Sequence, residues 1–394
     1  MMLSRHNVAA GFRAFVTASA FVLLADSATA AEQPLFAPAP GSPIAVSGMP
    51  GNVAMGDVNK DGKLDLLVAN RRGITVLLGQ GDGRFQPAAG SPVQAPERAS
   101  EMLLCDLDGD QVLDLALGNH DSYEVTLLRG DGTGGFSVAA NSPLIMKAGR
   151  SPHTHGLHAG DLNGDGNIDL VTVNNADNDV SVAFGDGKGG FTRAAASFPV
   201  GPSPYPGAVA DLNGDGLAEI IATSTGRHSQ PEEQSTRALT VLFGDGHGGF
   251  RVSRVPLKTI LPWYVAVGDL SGDGKPDLAV SHAERKELSV LIGDGKGGFT
   301  ETAGSPFDLG HPAWHLAIMD ANGDRKPDIV AAAGEGIRVM LGDGRGGFRA
   351  APGSPFGPGK GIWQLAIGDL NGDGKQDAVA SNLESDCVTV LLGR

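Results

Sequence analysis

The chain has 394 residues, of which 59 are glycine, 24 are proline and only 2 are cysteine, and its formal net charge at pH 7 is −15. A glycine-rich composition is typical of disordered chains, but these glycines recur periodically between apolar runs, which indicates turns of a folded repeat protein. A negative charge of this size disfavours nucleic acid, which is not expected as a partner, although 22 of the 45 acidic residues fall in seven repeated loops and are interpreted as metal ligands.

Residues 1–30 have the three parts of a secretory signal peptide. Arg5 and Arg13 belong to a basic start, residues 14–25 are apolar, and the segment ends in an Ala-Thr-Ala cleavage pattern. An apolar run of about 12 residues is too short to cross a bilayer, which needs about 20. We therefore expect cleavage after Ala30, a secreted or periplasmic location, and no insertion into a membrane.

Residues 31–394 are predicted to form a single domain of seven repeats, each with four short strands that we name A to D. The apolar runs are rich in Val, Leu, Ile and Ala and end at Gly, Asn or Asp, and no segment shows a helical period. Seven such units indicate an all-β fold, a seven-bladed β-propeller of four-stranded blades.

Cys105 and Cys387 fall in repeats two and seven, with repeat one between them, so we expect two free, buried thiols.

The two ends of the chain complement each other. The last repeat stops at VTVLLGR, after its strand C, whereas FAPAPGSP from Phe36 matches the strand D that begins at Phe85, Phe299 and Phe348. The N-terminal strand is therefore predicted to complete the last blade and close the ring, which removes exposed sheet edges. The GDGxGGF segment before strand D is interpreted as a C–D turn and not as a dinucleotide site, because a strand follows it.

A nine-residue acidic loop recurs between strands A and B of every repeat. The seven copies are about 50 residues apart, a spacing typical of propellers and solenoids. They span residues 57–65, 106–114, 161–169, 211–219, 269–277, 320–328 and 369–377. Side-chain oxygens at positions 1, 3, 5 and 9 and a carbonyl at position 7 suit Ca²⁺, which takes six to eight oxygen ligands.

The predicted calcium ligands are Asp57, Asn59, Asp61, Lys63 and Asp65; Asp106, Asp108, Asp110 and Asp114; Asp161, Asn163, Asp165, Asn167 and Asp169; Asp211, Asn213, Asp215, Leu217 and Glu219; Asp269, Ser271, Asp273, Lys275 and Asp277; Asp320, Asn322, Asp324, Lys326 and Asp328; and Asp369, Asn371, Asp373, Lys375 and Asp377. Up to seven Ca²⁺ ions are expected, with each Lys, Leu or Asn at position 7 contributing its carbonyl. The alternative is that the loops are acidic turns capped by their own side chains.

Two of the loops depart from the pattern at position 6. Gln111 and Arg325 replace the glycine found in the other copies, and a side chain there is strained if the backbone needs a positive φ. The loops that begin at Asp106 and Asp320 are therefore predicted to bind Ca²⁺ most weakly. An EF-hand is excluded, because position 12 is never Glu and the flanks are strands.

The DxNxDGxxD loops and GDGxGGF turns resemble those of the FG-GAP/VCBS repeat family, which includes the integrin α-subunit propeller and some fungal and bacterial propeller lectins. The resemblance covers residues 36–394. It implies a propeller whose loops hold Ca²⁺ on one face and whose ligands bind elsewhere.

Aligning the repeats on the first loop aspartate brings all three tryptophans into one column, six residues upstream. That column reads Gly51, Ser100, His155, Tyr205, Trp263, Trp314 and Trp363, and the next reads Asn52, Glu101, Gly156, Pro206, Tyr264, His315 and Gln364. An aromatic arc with polar neighbours suits sugar rings, which stack on aromatic faces and form hydrogen bonds through their hydroxyls. The candidate ligand-binding residues are His155, Tyr205, Trp263, Tyr264, Trp314, His315 and Trp363. The alternative is that these side chains only pack between blades.

Eight histidines are predicted on the face opposite the acidic loops. They are His120, His153, His155, His158, His228, His282, His311 and His315. A transition-metal site formed by four of them (His153, His155, His158 and His315) is one alternative. A face rich in His and Tyr also leaves open a polysaccharide lyase, in which a base removes a proton next to a carboxylate. The sequence contains no G-x-S-x-G or H-E-x-x-H motif, and no catalytic residue is assigned.

The sequence therefore favours an exported, monomeric, calcium-binding propeller that acts as a non-catalytic binding module for a glycan or a protein. A lyase-like polysaccharide-processing enzyme and a purely structural or adhesive propeller are the alternatives.

Overall fold

A computed structural model of the protein describes residues 34–95, 99–149, 152–205, 207–226, 236–357 and 359–394. The predicted signal peptide, Pro206 and His228 lie outside the described residues. Throughout the described ranges the regular elements are β-strands, and no helix there has the length and hydropathy of a membrane span.

The strands form seven sheets, numbered here as blades. The N-terminal strands are β1 (Phe36–Pro38) and β2 (Ile44–Ala45). Blade one contains β3 (Val53–Gly56), β4 (Asp65–Asn70), β5 (Gly73–Gly79) and β6 (Phe85–Pro87). Blade two contains β7 (Ala99–Cys105), β8 (Asp114–Asn119), β9 (Glu124–Gly130), β10 (Phe136–Val138) and β11 (Leu144–Ile145). Blade three contains β12 (Thr154–Gly160), β13 (Asp169–Asn174), β14 (Asp179–Gly185), β15 (Phe191–Arg193) and β16 (Phe198–Pro199).

The remaining blades repeat this order. Blade four contains β17 (Ala208–Ala210), β18 (Glu219–Ala222), β19 (Ala238–Gly244) and β20 (Phe250–Pro256). Blade five contains β21 (Pro262–Gly268), β22 (Asp277–His282), β23 (Glu287–Gly293), β24 (Phe299–Glu301) and β25 (Phe307–Asp308). Blade six contains β26 (Ala313–Met319), β27 (Asp328–Ala333), β28 (Gly336–Gly342) and β29 (Phe348–Ala350). Blade seven contains β30 (Ile362–Gly368), β31 (Asp377–Asn382) and β32 (Cys387–Gly393), joined by β1 and β2.

The blades are arranged in a closed ring. Within each sheet the strands pair antiparallel in chain order, and strand A of each blade contacts strand A of the next, from β3 through β7, β12, β17, β21, β26 and β30 back to β3. The predicted seven-bladed β-propeller is therefore confirmed, with the A strands innermost.

The apolar core lies between neighbouring blades. All six residues of β13, β22, β27 and β31 are buried, and Leu66 and Val68 of blade one share a cluster with Val379 and Val390 of blade seven. A sheet of four short strands cannot cover its own two faces, so each blade is stabilised by the two beside it.

The ring is closed by the N-terminal strands, as the sequence predicts. Phe36 pairs with Gly393, and Ile44 pairs with Val388, both antiparallel on β32. The Phe36 side chain is only 4% exposed, and its ring meets that of Phe356 edge-on at a centroid distance of 5.6 Å. The first and last segments of the chain thus form one sheet.

Strand D is split in most blades, which the sequence does not predict. In blade two, β10 and β11 both pair with β9, and the Leu127 N–H between them donates to the Ser142 hydroxyl oxygen at 3.0 Å. The same serine acceptor recurs at Ser42, Ser91, Ser305 and Ser354. The hydroxyl satisfies a backbone donor where the ladder is interrupted.

The two cysteines are free, as predicted, but neither is fully buried. Cys105 ends β7 and Cys387 begins β32, so both lie at strand ends and are half-buried. Burial, together with the charges of Asp114 and Asp106, raises the pKa of the Cys105 thiol to about 12. That thiol is therefore protonated and unreactive near neutral pH.

Candidate ligand cavity and acidic loops

The acidic loops connect strands A and B, and their side chains organise the backbone. In the third loop, the N–H groups of Gly164 and Gly166 donate to the Asp161 carboxylate at 2.7 and 2.8 Å. The Asp165 N–H donates to Asn163 Oδ1 at 2.9 Å. Each side chain uses part of its acceptor capacity to hold the turn, since a carboxylate has about four lone-pair sites.

The carboxylate at position 9 is buried in every loop. Asp169 accepts from the N–H groups of Leu162 and Gly185 at 2.9 and 2.8 Å. The pKa of Asp169 is raised to about 6. Burial is the main cause, the nearby charges of Asp165 and Asp161 add to it, and the two hydrogen bonds oppose it. Burial likewise raises the pKa of Glu219 to about 7 and that of Asp328 to about 6. The ionised form of these carboxylates is therefore disfavoured in the folded protein, and a bound cation would stabilise it.

The backbone at position 6 has a positive φ in the two loops that lack glycine there, as the sequence predicts. Gln111 has φ 65° and Arg325 has φ 63°, and both donate their N–H to the first loop aspartate at 2.8 Å, as the glycines do. Lys60, at position 4 of the first loop, also has a positive φ of 60°, which the sequence analysis missed. Each side chain in this conformation costs about 1–2 kcal/mol.

The second loop has an arginine beside its carboxylates. The Arg129 guanidinium pairs with Asp108 and lies 3.8 Å from Asp110. At this register, one residue before the glycine that ends strand C, the other blades have Leu78, Phe184, Phe243, Ile292, Leu341 and Leu392. In this loop, carboxylate oxygens of Asp106, Asp108 and Asp114 lie within 4.8 Å of one another. The second loop thus has converging carboxylate oxygens, and the Arg129 guanidinium already supplies a positive charge to them.

A cavity of about 200 Å³ lies at the opposite end of the A strands. It is lined by Asn52, Glu101, His155, Tyr205, Trp263, Tyr264, Trp314, His315, Trp363 and Gln364. Because all seven blades contribute, this aromatic cavity lies at the centre of the ring. Trp263 and Asp269, the first residue of the acidic loop, are six positions apart along strand A, which is about 20 Å of extended chain.

The seven candidate ligand-binding residues all line the aromatic cavity, and four of them form a row of touching rings. Centroid distances are 4.0 Å from Tyr205 to Trp263, 5.1 Å from Trp263 to Trp314, and 5.4 Å from Trp314 to Trp363. His155 stacks on Tyr205 at 4.5 Å. Trp263 is 8% exposed and Trp363 is 37% exposed, so the row is buried in its middle, at Trp263, and open at the end formed by Trp363.

β-bulges explain how two successive residues face one cavity. In a regular strand their side chains would point to opposite faces. The A–B register shifts between Ala99 and Glu101, His155 and Leu157, Pro262 and Val265, Ala313 and His315, and Ile362 and Leu365. A bulge sets two residues opposite one and re-aims a side chain, so both columns reach the central channel.

Glu101 is the one carboxylate among the described residues of the cavity lining, and it is not among the candidate residues selected from the sequence. The Asn52 amide donates to Glu101 Oε2 at 3.1 Å. Burial raises the pKa of Glu101 to about 7, and hydrogen bonds from Gly156 and Asn52 oppose that shift. The group can therefore accept or donate a hydrogen bond near neutral pH.

Tyr264 and His315 form the deeper wall of the cavity, with ring centroids 4.2 Å apart. Burial lowers the pKa of His315 to about 3, and its Nδ1 has no hydrogen-bond partner in the described part of the chain. A neutral imidazole with a buried, unpaired nitrogen can accept a hydrogen bond, for example from an ordered water.

The histidines divide into groups that the sequence did not separate. His120, His153 and His155 converge beside the aromatic cavity, and burial lowers the pKa of His153 and lowers that of His155 to about 3. His282 is a core residue, bonded to the Ile260 carbonyl and the Ser289 hydroxyl at 2.9 Å each. His158 is half-buried on β12 of blade three, and His311 is exposed.

Comparison with known proteins identifies both the repeat and the fold. The sequence profile described as FG-GAP-like repeat matches residues 57–117, 106–172, 161–222, 269–331 and 320–380. No curated protein sequence matches this chain.

Several solved propellers are similar in structure. One is an Agrocybe aegerita lectin that recognises non-reducing terminal N-acetylglucosamine, with a TM-score of 0.56, 19% identity, and coverage of 86% of this chain and 87% of that one. A second is BBS1N in complex with ARL6DN, with a TM-score of 0.61, 13% identity, and coverage of 91% and 97%. A third is a catalytically inactive virginiamycin B lyase from Staphylococcus aureus with quinupristin, with a TM-score of 0.52, 11% identity, and coverage of 88% and 97%. At these identities the likeness concerns the fold.

Proposed function

Because the chain belongs to the FG-GAP-like repeat family, we propose that it is an exported, calcium-stabilised β-propeller whose aromatic cavity binds a small glycan determinant. The observation that carries this proposal is the row of Tyr205, Trp263, Trp314 and Trp363 in one cavity with the polar groups of Asn52, Glu101 and Gln364. Aromatic faces stack on the apolar faces of sugar rings, and the polar groups receive the hydroxyls.

The size and charge of the cavity favour a single sugar residue over a polymer or a protein. At about 200 Å³, the cavity is below the roughly 300–1,000 Å³ of pockets for drug-sized ligands. No lysine or arginine is among the described residues that line it, so a uronic-acid carboxylate would lie near Glu101 without a basic side chain to offset its charge. A protein partner would need roughly 800 Å² of contact surface, which is more than a cavity of about 200 Å³ offers by itself.

Trp363 provides the sharpest test, because it is the most exposed ring of the row and its removal disturbs the fold least. A glycan array would identify the ligand, with terminal N-acetylglucosamine as the first probe, since the similar lectin recognises that sugar. Trp363→Ala should weaken binding about tenfold, a loss of about 1.4 kcal/mol, in a calorimetric titration. Trp363→Phe should retain part of the affinity because it keeps a ring to stack on.

The control is an unchanged melting temperature for both variants. Equal glycan affinities for the wild-type protein, Trp363→Ala and Trp314→Ala would contradict the proposed site. Absence of any glycan binding would leave the structural or adhesive propeller as the better explanation.

Calcium is proposed as the resident cation of the acidic loops. The donor set is all oxygen, which suits a hard cation, and the buried position-9 carboxylates have raised pKa values that a nearby cation would lower. Ca²⁺ would link strands A and B of each blade. Elemental analysis of the purified protein after dialysis against calcium tests this directly.

A lyase-like activity is a second candidate, favoured by one observation. Glu101, with a pKa raised to about 7, lies in the cavity with Tyr264 and His315, and such a group can act as a general base or acid. New ultraviolet absorbance from unsaturated sugar products would support this activity, and Glu101→Gln should abolish it. We propose the non-catalytic role because no lysine or arginine that could bind a uronate is among the cavity residues that the structure describes.

Export and a monomeric state complete the proposal. The basic start, the apolar run and the Ala-Thr-Ala pattern support cleavage after Ala30. N-terminal sequencing of the protein recovered from the periplasm or the medium tests the cleavage site and the location together.

A further inference from the structure

We propose that His120, His153 and His155 form a binding site for a transition-metal ion such as Zn²⁺, beside the aromatic cavity and separate from the calcium loops. One ring nitrogen from each histidine lies within 4.8 Å of the other two. The three ring centroids are 4.3, 4.6 and 5.0 Å apart. Three imidazoles converging on one point are the ligand set of many open zinc sites, in which water or substrate takes the fourth position.

The distances need only a small adjustment to hold a metal. His153 Nε2 and His155 Nε2 are 2.8 Å apart, so in the metal-free protein one ring donates a proton to the other. Two nitrogens on a tetrahedral Zn²⁺, each at about 2.0–2.1 Å, would be about 3.3 Å apart. A separation of the rings by about half an ångström opens that space, and all three side chains are half-buried rather than locked in the core.

A carboxylate already orients one of the rings. His120 Nδ1 lies 2.6 Å from Asp121 Oδ1, which leaves Nε2 as the nitrogen that this ring offers to a cation. Metal-binding histidines commonly donate their second ring N–H to a carboxylate, which fixes the tautomer and raises the basicity of the ligating nitrogen. The pairing of His120 with Asp121 provides that arrangement.

The backbone holds the two contributing segments together. His120 lies in the loop after β8, whereas His153 and His155 lie at the start of β12 in the next blade. The Thr154 N–H donates to the His120 carbonyl at 3.0 Å, and the Asn175 N–H donates to the His153 carbonyl at 2.8 Å. The loop after β8 and the start of β12, which carry the three histidines, are therefore held together by a backbone hydrogen bond.

The nitrogen ligands distinguish this site from the calcium loops. Imidazole suits zinc, copper, nickel and iron, whereas carboxylate and carbonyl oxygens suit calcium and magnesium. His155 also stacks on Tyr205, at a centroid distance of 4.5 Å. A metal at the histidine cluster would thus lie at the end of the aromatic row, with its open position near the cavity.

The test uses untagged protein whose calcium loops are first filled with excess Ca²⁺. Titration with Co²⁺, which substitutes for Zn²⁺ and absorbs visible light, should give one binding event per chain with a tetrahedral ligand-field spectrum, and Zn²⁺ should displace it. His120→Ala and His153→Ala should abolish that spectrum. His247→Ala, which changes an exposed histidine in a C–D turn, should leave it unchanged.

Asp121→Asn gives a second, milder measurement, because it keeps the size of an exposed side chain and changes the carboxylate that pairs with the His120 ring. The variant should fold normally and bind Co²⁺ about 10–100-fold more weakly. Equal Co²⁺ binding by the wild-type protein, His120→Ala and His153→Ala would overturn the proposal, and so would the absence of a visible spectrum. Glycan binding is measured separately, so failure of the metal site and failure of the glycan site are distinguishable.

Discussion

At the scale of single residues, the seven acidic loops differ through a few side chains. Gln111, Arg325 and Lys60 occupy left-handed positions that glycine fills in the other copies, yet each loop keeps the same overall turn. Arg129 acts differently, because it brings a positive charge to the loop carboxylates themselves. Small substitutions therefore alter the loops while the fold around them stays constant.

Replacing Arg129 should make the second loop a better calcium site. Arg129→Leu installs the type of residue that the other blades have at this register, and it removes the pairing of the half-exposed guanidinium with the buried Asp108 carboxylate, an interaction of about 1 kcal/mol. We expect about fivefold tighter calcium binding by that loop. Equilibrium dialysis at a calcium concentration that half-saturates the wild-type protein should show more calcium retained per chain.

The matched control for that experiment is Arg349→Leu, which removes an exposed arginine from β29. It should retain the wild-type amount of calcium. The same retention by Arg129→Leu and the wild-type protein would show that Arg129 does not compete with the cation.

At the scale of the element, each acidic loop joins a turn, two strands and a buried carboxylate into one unit. The position-9 carboxylate accepts N–H groups from its own loop and from the end of strand C, as Asp169 does with Leu162 and Gly185. A cation bound there would therefore stabilise three strands of the blade together.

Stability should depend on calcium more strongly as the pH rises. The folded-state pKa values of Asp169, Asp328 and Glu219 are raised to about 6, 6 and 7. Without calcium, these groups stabilise the fold below about pH 4 and lose that contribution as the pH rises through their folded values. Calcium binds the ionised form, so it should raise the melting temperature by several degrees more at about pH 7.5 than at about pH 5.

Scanning calorimetry of calcium-stripped and calcium-saturated protein measures this difference. Partly buried histidines such as His155 and His158, whose pKa values are lowered by desolvation to about 3 and 4, destabilise the fold as the pH falls below about 6.5. They act equally in both samples and cancel in the comparison. A calcium effect that does not change with pH would contradict the role of the buried carboxylates.

At the scale of the whole molecule, the ring depends on a sheet made from both ends of the chain. Blade seven is the one blade whose outer strands come from residues more than 300 positions away, since Phe36 pairs with Gly393. The same contacts bury Phe36 against Phe356. Ring closure therefore links the stability of all blades to a short N-terminal segment.

Phe36→Ala should destabilise the protein more than the equivalent change in another blade. Truncation of a buried phenylalanine costs about 3–5 kcal/mol, and Phe36 is 4% exposed. Phe85 begins strand D of blade one at the same register but is only half-buried, so Phe85→Ala is the matched control. Urea unfolding should give the larger loss for Phe36→Ala, and equal losses would argue against a special role for closure.

Much of the architecture is predictable from the sequence because each blade is encoded by a copy of the same sequence repeat. The periodic acidic loops gave the number of blades, and the unmatched segment at Phe36 predicted how the ring closes. The Trp column was also visible, because alignment on the first aspartate gives every blade one register. These features depend on local sequence and spacing alone.

The tertiary structure decided which side chains meet. β-bulges turn Tyr264 and His315 toward the same cavity as the Trp row, and no sequence pattern marks a bulge. His120 joins His153 and His155 only because adjacent blades bring a B–C loop beside a strand start. Arg129 reaches the second loop across its own blade. The sequence by itself determined the repeat, the ring and the loops, whereas contacts between blades determined the cavity and the histidine cluster, because those contacts join residues that lie far apart in the chain.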